Sequence, residues 1–354
     1  MPGDRQQVRA AELDLRTLRP PSEATPQTPL SLTADDGEIL ADEAARALSA
    51  GKPRVSKKRR PVHTHGSFAR GTFTAGTRAA GWTYARHLQQ SVTTPVVARF
   101  SNSLPSAQRK DHARSARGLA VRFEVSGGPP TDMVAMNTKS FFVSDREEFG
   151  ALSRALGSHW LLRLPRLVLL IMFRHLRFGL AVRMATLWPP SSYARCVYHG
   201  INTFIWSVQA NDLPRQHAVR FRWEPVLPES HLLPWRYFHR DGATFLERDL
   251  RERLRSTEPD GMVSFLLRVQ LRENAPDKSL TDATRTWKGE WTTVGKLDLD
   301  TFVEDAAEVA QLDAVSFSPL HLCPGIEAHP DDKILALRAA AYPAAHFRRT
   351  EASR

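Results

Sequence analysis

The chain has 354 residues, of which 42% are hydrophobic and 25% are charged, and its formal net charge is +11. This ordinary globular composition excludes a wholly disordered, collagen-like or coiled-coil protein. The two cysteines, Cys196 and Cys323, are too few for a disulfide framework or a multi-thiolate zinc site. Because the N-terminus also lacks an apolar leader stretch, we expect no signal peptide and a cytoplasmic location.

The positive charge is concentrated in one region. No Asp or Glu occurs from Phe149 to Asn211, and the same stretch carries these arginines: Arg154, Arg163, Arg166, Arg174, Arg177, Arg183 and Arg195. A basic chain is a candidate for nucleic-acid binding, but no recognition module is present and the excess lies in an apolar-rich stretch. We therefore expect no nucleic-acid partner.

The N-terminal part divides into three short segments. Residues 1–30 are polar and dotted with proline, which predicts a flexible arm. Thr33–Gly51 begins with acidic residues, carries an alanine and leucine stripe and ends on glycine, which predicts a helix. The basic run KPRVSKKRR follows. Such a run is usually a solvated face, and contact with an anionic ligand is the alternative.

Short alternating apolar runs separated by Gly, Pro and Asp occupy Phe73–Phe142 and predict antiparallel strands. Similar runs return after residue 200, so strands flank a more helical middle section. The runs read TPVVARFSNS, RGLAVRFEV, DMVAMN, INTFIWSVQ, AVRFRWEPV, MVSFLLRVQLR and TTVGKLDLD. The predicted class is α+β with a substantial β component.

The middle section, at about residues 155–187, predicts a basic amphipathic helix. Its longest apolar run, Leu167–Phe173, is far shorter than the about 20 residues of a membrane span, so no transmembrane helix is expected. If the helix begins near Pro165, three arginines share one stripe opposite an apolar face: Arg166, Arg174 and Arg177. Packing of that face on the protein itself is the first interpretation. Peripheral docking of Leu164–Met184 on anionic lipid or on a partner is the alternative.

The last segment, PDDKILALRAAAYPAAHFRR, starts at Pro330 with two aspartates and continues with strong helix formers, which predicts a helix. Arg338 and Tyr342 are four residues apart and share one face, so the guanidinium can contact the phenol. Pro343 is predicted to end or kink the helix just after the tyrosine. Tyrosinate is a haem iron ligand that a neighbouring cation favours, and a packed surface pair is the alternative.

A series of spaced motifs resembles the haem catalase family, in the family's order, from about Arg60 to Arg349. RRPVHTHG resembles the family's RVVHAKG, ARFSNS resembles VRFSTV, and RSARGLAVRFE resembles RDPRGFAVKFY. MVAMNTKSFFVSD is similar to LVGNNTPIFFIRD, and TTVGKLDL is similar to PVGKLVL. CPGIEAHPDDKILALRAAAY resembles PPGIEASPDKMLQGRLFAY, and YPAAHFRR resembles YPDTHRHR. The whole resembles a small catalase-related peroxidase with a minimal catalase core.

The resemblance implies haem b in an eight-stranded antiparallel β-barrel with surrounding helices, within one domain at residues 31–354. It implies that His63 and Asn137 are the distal catalytic pair and that Tyr342 is the axial iron ligand, held ionised by Arg338. Ser101 stands where the family places a hydroxyl bonded to the histidine. The residues implied to line the distal side are Val62, Phe142 and Phe149. Those implied to bind the haem propionates are Arg60, Arg99 and Arg349.

The implied activity follows from these residue types. A neutral imidazole can move a proton from one peroxide oxygen to the other, with an amide guiding the second oxygen. The expected function is reduction of hydrogen peroxide or organic hydroperoxides by a small-molecule electron donor through a ferryl intermediate, with residual catalase activity. The alternatives are a true catalase, rearrangement of fatty-acid hydroperoxides to allene oxides, and a haem-binding membrane-surface protein without significant turnover. Val62 disfavours rearrangement, because the rearranging relatives commonly carry threonine before the histidine.

The sequence departs from the family's pattern at several places. Large catalases continue into a further helical domain, whereas this sequence stops at Arg354, so neither bound NADPH nor an interlocked tetramer is expected, and homo-oligomerisation stays open. The Arg-rich segment after Phe149 has no clear counterpart. His65 stands where the family has lysine, and a two-imidazole metal site with His63 is one alternative. Thiolate ligation of haem by Cys323 is another.

Overall fold

The computed structural model describes most of the chain after residue 60. The predicted N-terminal arm, the predicted helix Thr33–Gly51 and nearly all of residues 157–188 lie outside the described residues, apart from Pro165, Arg166 and Val168, which are helical. The described residues are 60, 63–103, 111–113, 115–156, 165–166, 168, 189–210, 213–227, 243–256, 258, 261–275 and 277–351.

Ten strands form one antiparallel sheet. They are β1 (Gly66–Ala75), β2 (Thr93–Asn102), β3 (Arg117–Phe123), β4 (Thr131–Met136), β5 (Tyr198–His199), β6 (Phe204–Ala210), β7 (Leu213–Pro225), β8 (Val263–Glu273), β9 (Thr292–Phe302) and β10 (Ile326–Ala328). The predicted strands correspond to β2, β3, β4, β6, β7, β8 and β9. Their alternating patterns arise because successive side chains point to opposite faces of the sheet.

The sheet closes into a barrel. The hydrogen-bonded order is β10-β6-β7-β5-β4-β3-β2-β1-β9-β8, and β7 also pairs with β8, with Phe221 opposite Val269. The ring from β7 through β5, β4, β3, β2, β1, β9 and β8 back to β7 contains eight strands. The expectation of an eight-stranded antiparallel barrel is confirmed, and closure removes the unpaired strand edges.

Five α-helices are described around the barrel. They are α1 (Arg146–Leu156), α2 (Phe245–Arg255), α3 (Lys278–Thr281), α4 (Ala306–Ala314) and α5 (Lys333–Glu351). Asp305 caps α4 by accepting a hydrogen bond from the Glu308 amide, which satisfies one of the free N–H groups of its first turn. Among the described residues, no helix has the length and apolar character needed to cross a membrane.

Aromatic side chains fill the barrel. Phe73 meets Phe123 edge-on at 5.1 Å between ring centroids, and Trp223 lies 6.1 Å from Phe73. All three are essentially inaccessible to solvent. Such T-shaped aromatic pairs bury large apolar areas, so the barrel is a packed core rather than a channel.

Of the two outcomes predicted at Pro343, an end of the helix is wrong, because α5 continues through Pro343 to Glu351. Proline removes one backbone hydrogen bond, and contacts of the following turns can compensate for that loss. Here Pro343 is exposed, while Arg349 beyond it is buried. The side chains after the proline therefore still hold the helix against the rest of the protein.

Candidate active site

A cavity lies between the strands β2 to β4 and the helix α5. Its strand residues, including Arg99 and Ser101, point to the sheet face opposite Phe100, which belongs to the aromatic core. Its α5 residues follow a repeat of three and four, which places them on one face of a helix. They are Ile334, Leu337, Arg338, Ala341, Tyr342, Ala345, His346 and Arg349.

His63 lies on one wall of this cavity. Its Nδ1 is 2.8 Å from the Ser101 hydroxyl oxygen, and its backbone has φ 53°, a left-handed conformation that is uncommon for a residue other than glycine. A Cβ atom on Gly118 would lie 3.0 Å from His63 Cε1, which is tighter than an ordinary contact, so glycine at this position leaves space for the ring. Ser101 and Gly118 together fix the orientation of the imidazole.

The surroundings keep His63 neutral. The pKa of His63 is lowered to about 3, first by burial and then by the positive charges of Arg99, Arg338, Arg60 and Arg117. Burial and like charge both disfavour the imidazolium ion. With Nδ1 bonded to Ser101, the other ring nitrogen is the one available to a molecule in the cavity.

Tyr342 and Arg338 lie on the wall formed by α5. Arg338 Nη2 donates a hydrogen bond of 2.7 Å to the Tyr342 hydroxyl oxygen, as the spacing of four residues predicts. The guanidinium also lies 5.3 Å from the centre of the phenol ring. The phenol oxygen thus lies against a cation on the cavity wall, and tyrosine oxygen is a known haem iron ligand.

A chain of buried groups positions Arg338. Its Nη1 donates to the side-chain oxygen of Asn202 at 2.5 Å, and the Asn202 amide in turn donates to Asp332 at 3.2 Å. Asp332 also accepts from the backbone N–H of Leu335 in the first turn of α5. The N-terminus of the helix and the arginine one turn before the tyrosine are thus held by the same buried carboxylate. This role of Asn202 was not predicted from the sequence.

Three arginines meet at one end of the cavity. Arg60, Arg99 and Arg349 come from three distant parts of the chain, and all three line the cavity. The pKa of Arg99 is lowered to about 9 and that of Arg349 to about 10, with burial the largest cause in both and the charge of Arg60 the next. Asp313 Oδ1 lies 3.3 Å from Arg99 Nη2 and 3.4 Å from Arg60 Nε.

This end of the cavity fits an anionic group. Arg99 Nη2 is hydrogen-bonded, but its Nε is buried and has no hydrogen-bond partner, and a buried N–H group without one is costly. The cofactor that the motifs imply, haem b, carries two carboxylates that could accept from it. Arg60, Arg99 and Arg349 would hold those carboxylates, and the phenol of Tyr342 on the same cavity would supply the iron ligand. The donor set therefore fits haem.

Only some of the remaining predicted site residues line the cavity. Phe149 lines the cavity, whereas Phe142 packs behind it, with 6.3 Å between the two ring centroids, and Phe141 takes a lining position. Asn137 is not among the lining residues. Its side-chain oxygen accepts from the Arg117 backbone N–H at 2.7 Å, which places it next to Gly118. Val62 lies outside the described residues.

The alternative metal ligands considered from the sequence are Cys323 and the pair His63 and His65. Cys323 is absent from the cavity lining, and its Sγ lies 3.5 Å from Nδ1 of the buried His87. Burial raises the pKa of the Cys323 thiol, which disfavours the thiolate needed for iron ligation. Within the described ranges, no group of three or more His, Cys, Asp or Glu side chains could hold a metal ion around His63 or His65.

Two residues of the site, His346 and Asp313, were not predicted from the sequence. His346 continues the stripe of α5 through Ala345 and Arg349, so helical periodicity extended past Pro343 would have included it. Asp313 lies at the end of α4, where no sequence pattern indicated that the carboxylate would meet arginines more than 200 residues away.

The known proteins that this chain resembles are catalases and catalase-related peroxidases. The family model described as Catalase matches residues 33–353. A catalase-related peroxidase of Mycolicibacterium paratuberculosis is 31% identical over 90% of this chain and 97% of its own length, and one of Synechococcus elongatus is 28% identical over 88% and 89%.

Larger relatives match over part of their length. A catalase of Alkalihalophilus pseudofirmus is 29% identical over 80% of this chain, but the match covers 43% of that relative. The crystal structure of a fungal catalase superposes with a TM-score of 0.68 at 22% identity, covering 82% of this chain and 59% of the other. The chain thus spans most of the length of the catalase-related peroxidases and about half the length of these larger catalases.

Proposed function

The chain belongs to the catalase family, and from this premise we propose that it is a haem b peroxidase that reduces hydrogen peroxide or organic hydroperoxides with a small-molecule electron donor. The observation that carries the proposal is the composition of one cavity. It combines a neutral histidine, a tyrosine hydrogen-bonded to an arginine, and a cluster of three arginines that includes an unpartnered buried guanidinium nitrogen.

Tyr342 and the arginine cluster are proposed to hold the cofactor. Tyr342 would ligate the iron through its phenol oxygen, which the hydrogen bond from Arg338 orients. The cluster of Arg60, Arg99 and Arg349 would bind the two carboxylates through charge-assisted hydrogen bonds. When bound, haem supplies the redox chemistry, while the protein supplies orientation and electrostatics.

His63 is proposed to move the proton of the peroxide. When Nδ1 carries the ring proton and donates it to the Ser101 oxygen, the other ring nitrogen presents a lone pair to the cavity. It can accept the proton from one peroxide oxygen and return it to the other, which would make that oxygen a better leaving group, as water or as an alcohol; the electrons that reduce the O–O bond would come from the haem and be restored by the donor. Asn137 is proposed to guide the second oxygen from just behind the cavity wall, since the Arg117 backbone N–H fixes its side-chain oxygen beside the lining residue Gly118 and its NH₂ group is a donor.

Haem reconstitution tests the cofactor part of this proposal. The purified protein should bind haem with an absorption spectrum typical of tyrosinate ligation, and Tyr342→Phe should lose stable binding. Tyr84→Phe, which changes an exposed tyrosine away from the cavity, is the matched control and should bind like the wild type. Equal affinity of Tyr342→Phe and the wild type would contradict the assigned ligand.

Rapid mixing with peroxide tests the catalytic part. His63→Ala should keep haem but slow the first spectral change with hydrogen peroxide or cumene hydroperoxide by about 10²- to 10⁴-fold, the usual contribution of a general acid–base group. His217→Ala on β7 is the control. Turnover of a reducing dye supports a peroxidase, whereas oxygen release without dye would indicate a catalase. Full activity of His63→Ala would contradict the mechanism.

A further inference from the structure

Asp313 occupies an unusual position among the three arginines of the cavity. Its carboxylate lies within 3.4 Å of both Arg60 and Arg99, and its backbone oxygen accepts a further hydrogen bond of 3.0 Å from Arg60. Arg349 adds a third favourable charge. Burial raises the pKa of Asp313, but the charges of Arg99, Arg60 and Arg349 outweigh it, so the net direction is downward and the group is ionised at neutral pH.

The charges of this cluster do not cancel. Three guanidinium groups and one carboxylate leave a net charge of +2, and Asp313 is the carboxylate that the described residues place against these arginines. A haem b molecule carries two carboxylates, and so a charge of −2 at this end. With Asp313 present, cluster and ligand are therefore equal and opposite in charge.

Asp313 also differs from the arginines in its access to water. Its side chain is 37% exposed, whereas that of Arg99 is 5% exposed and that of Arg60 is 12% exposed. The carboxylate thus lies at the rim and the guanidinium groups lie behind it. From the rim it can remain ionised beside a bound dicarboxylate, because solvent screens the repulsion between them.

We propose that Asp313 sets how much negative charge the arginine cluster prefers in a ligand. Its carboxylate offsets the charge of one of the three buried arginines, both in the cofactor-free protein and in the protein with its cofactor. This inference rests on the proposed function, because it takes haem as the ligand of the cavity. It assigns two effects to one carboxylate. Asp313 stabilises the cofactor-free protein by pairing with the arginines, and it weakens the binding of carboxylates that compete for the same guanidinium groups.

The experiment measures binding rather than turnover. Asp313→Asn removes the charge and nearly keeps the shape, so the cluster becomes +3. Haem, its monomethyl ester and its dimethyl ester carry two, one and no propionate charges, and each is titrated into the cofactor-free protein. We expect Asp313→Asn to bind haem about tenfold more tightly than the wild type, the monoester less than tenfold more tightly, and the diester equally.

Thermal unfolding of the cofactor-free protein gives a second readout. Asp313→Asn should unfold at a lower temperature than the wild type, because three buried cations then lack their carboxylate. Asp313→Glu keeps the charge and should resemble the wild type in both measurements. Glu308→Gln removes another carboxylate of α4, which pairs with Arg70 away from the cluster, and serves as the matched control for net charge.

The outcomes separate the inference from the proposed function. If the wild type binds none of the three porphyrins, the haem proposal fails and the inference fails with it. If the wild type binds haem but Asp313→Asn binds it equally or more weakly, only the role of Asp313 is overturned. Equal tightening for haem and for the dimethyl ester would likewise overturn it, because the effect would then be steric. Asp313→Ser is the second uncharged variant, to be used if Asp313→Asn does not fold.

Discussion

Lowering the pH from 7 to 5 is expected to leave the rate of the first reaction with peroxide nearly unchanged. In the proposed mechanism His63 must be neutral to accept the proton. The pKa of His63 is lowered to about 3, mainly by burial and further by the charges of Arg99, Arg338 and Arg60. Bound carboxylates would offset part of the charge effect, but burial, the largest cause, would remain.

The size of the expected effect follows from the two protonation equilibria. At pH 5 an imidazole with a pKa of about 3 is about 99% neutral. An ordinary histidine with a pKa of about 6.5 would be only about 3% neutral at the same pH. The rate at pH 5 should therefore be about 30-fold higher than a histidine of ordinary pKa would allow.

The assay is rapid mixing of the haem-loaded protein with hydrogen peroxide between pH 4.5 and 8, with the second-order rate constant taken from the first change in haem absorption. His63→Ala, measured over the same range, reports any pH dependence that does not come from the imidazole. His346 lines the same cavity and its pKa is also lowered, first by burial. A wild-type rate that falls about tenfold or more below a midpoint near pH 6.5, with no such fall in His63→Ala, would show that His63 titrates like an ordinary histidine.

Four further predictions concern the same cavity. A Cβ atom on Gly118 would press on His63, so Gly118→Ala should slow the peroxide reaction, measured by stopped flow, at unchanged haem affinity. A Cβ atom on Gly66 would lie 2.5 Å from Arg99 Nε, so Gly66→Ala should weaken haem binding, measured by titration. Asn202→Ala removes a buried hydrogen bond to the arginine beside the tyrosine and should weaken haem binding about tenfold or more, measured by titration. The pKa of His63 is about 3 in the folded protein and about 6.5 in the unfolded protein, so a falling pH protonates the unfolded state first. The free energy of unfolding is therefore highest, as far as His63 is concerned, above pH 6.5 and decreases as the pH falls toward 3. Urea unfolding of the cofactor-free protein should show His63→Ala losing less stability with falling pH than the wild type, by up to about 1.4 kcal/mol per pH unit, and equal slopes would contradict the lowered pKa.

The strands were largely predictable, but closure of the barrel was not. β8 and β9 alternate in part between more buried and less buried positions, and this local pattern is visible in the sequence, whereas every residue of β3 is buried. β1 was missed, because GSFARGTFTA mixes glycine, arginine and threonine with few apolar residues. The pairings of β1 with β9 and of β7 with β8 join distant segments, and no local signal specifies them.

The candidate site was also predictable only where its contacts are local in the sequence. The contact between Arg338 and Tyr342 follows from helical spacing alone. The meeting of Arg60, Arg99 and Arg349 was predicted only through the resemblance to catalases, since the three lie in a loop, a strand and a helix far apart in the chain. Asn202 and Asp313 escaped prediction because their roles depend on contacts across more than 100 residues.

Arg99 links the two ends of the cavity. Its Nη2 donates a hydrogen bond of 2.8 Å to the backbone oxygen of His63 as well as contacting Asp313, and its Nε remains unpartnered. His63 needs such support, because a left-handed backbone at a residue other than glycine costs on the order of 1–3 kcal/mol. The guanidinium that would bind a cofactor carboxylate therefore also holds the backbone of the histidine proposed to move the proton. An anion that fixes Arg99 would fix His63 with it, so binding of the cofactor and orientation of the imidazole share one side chain.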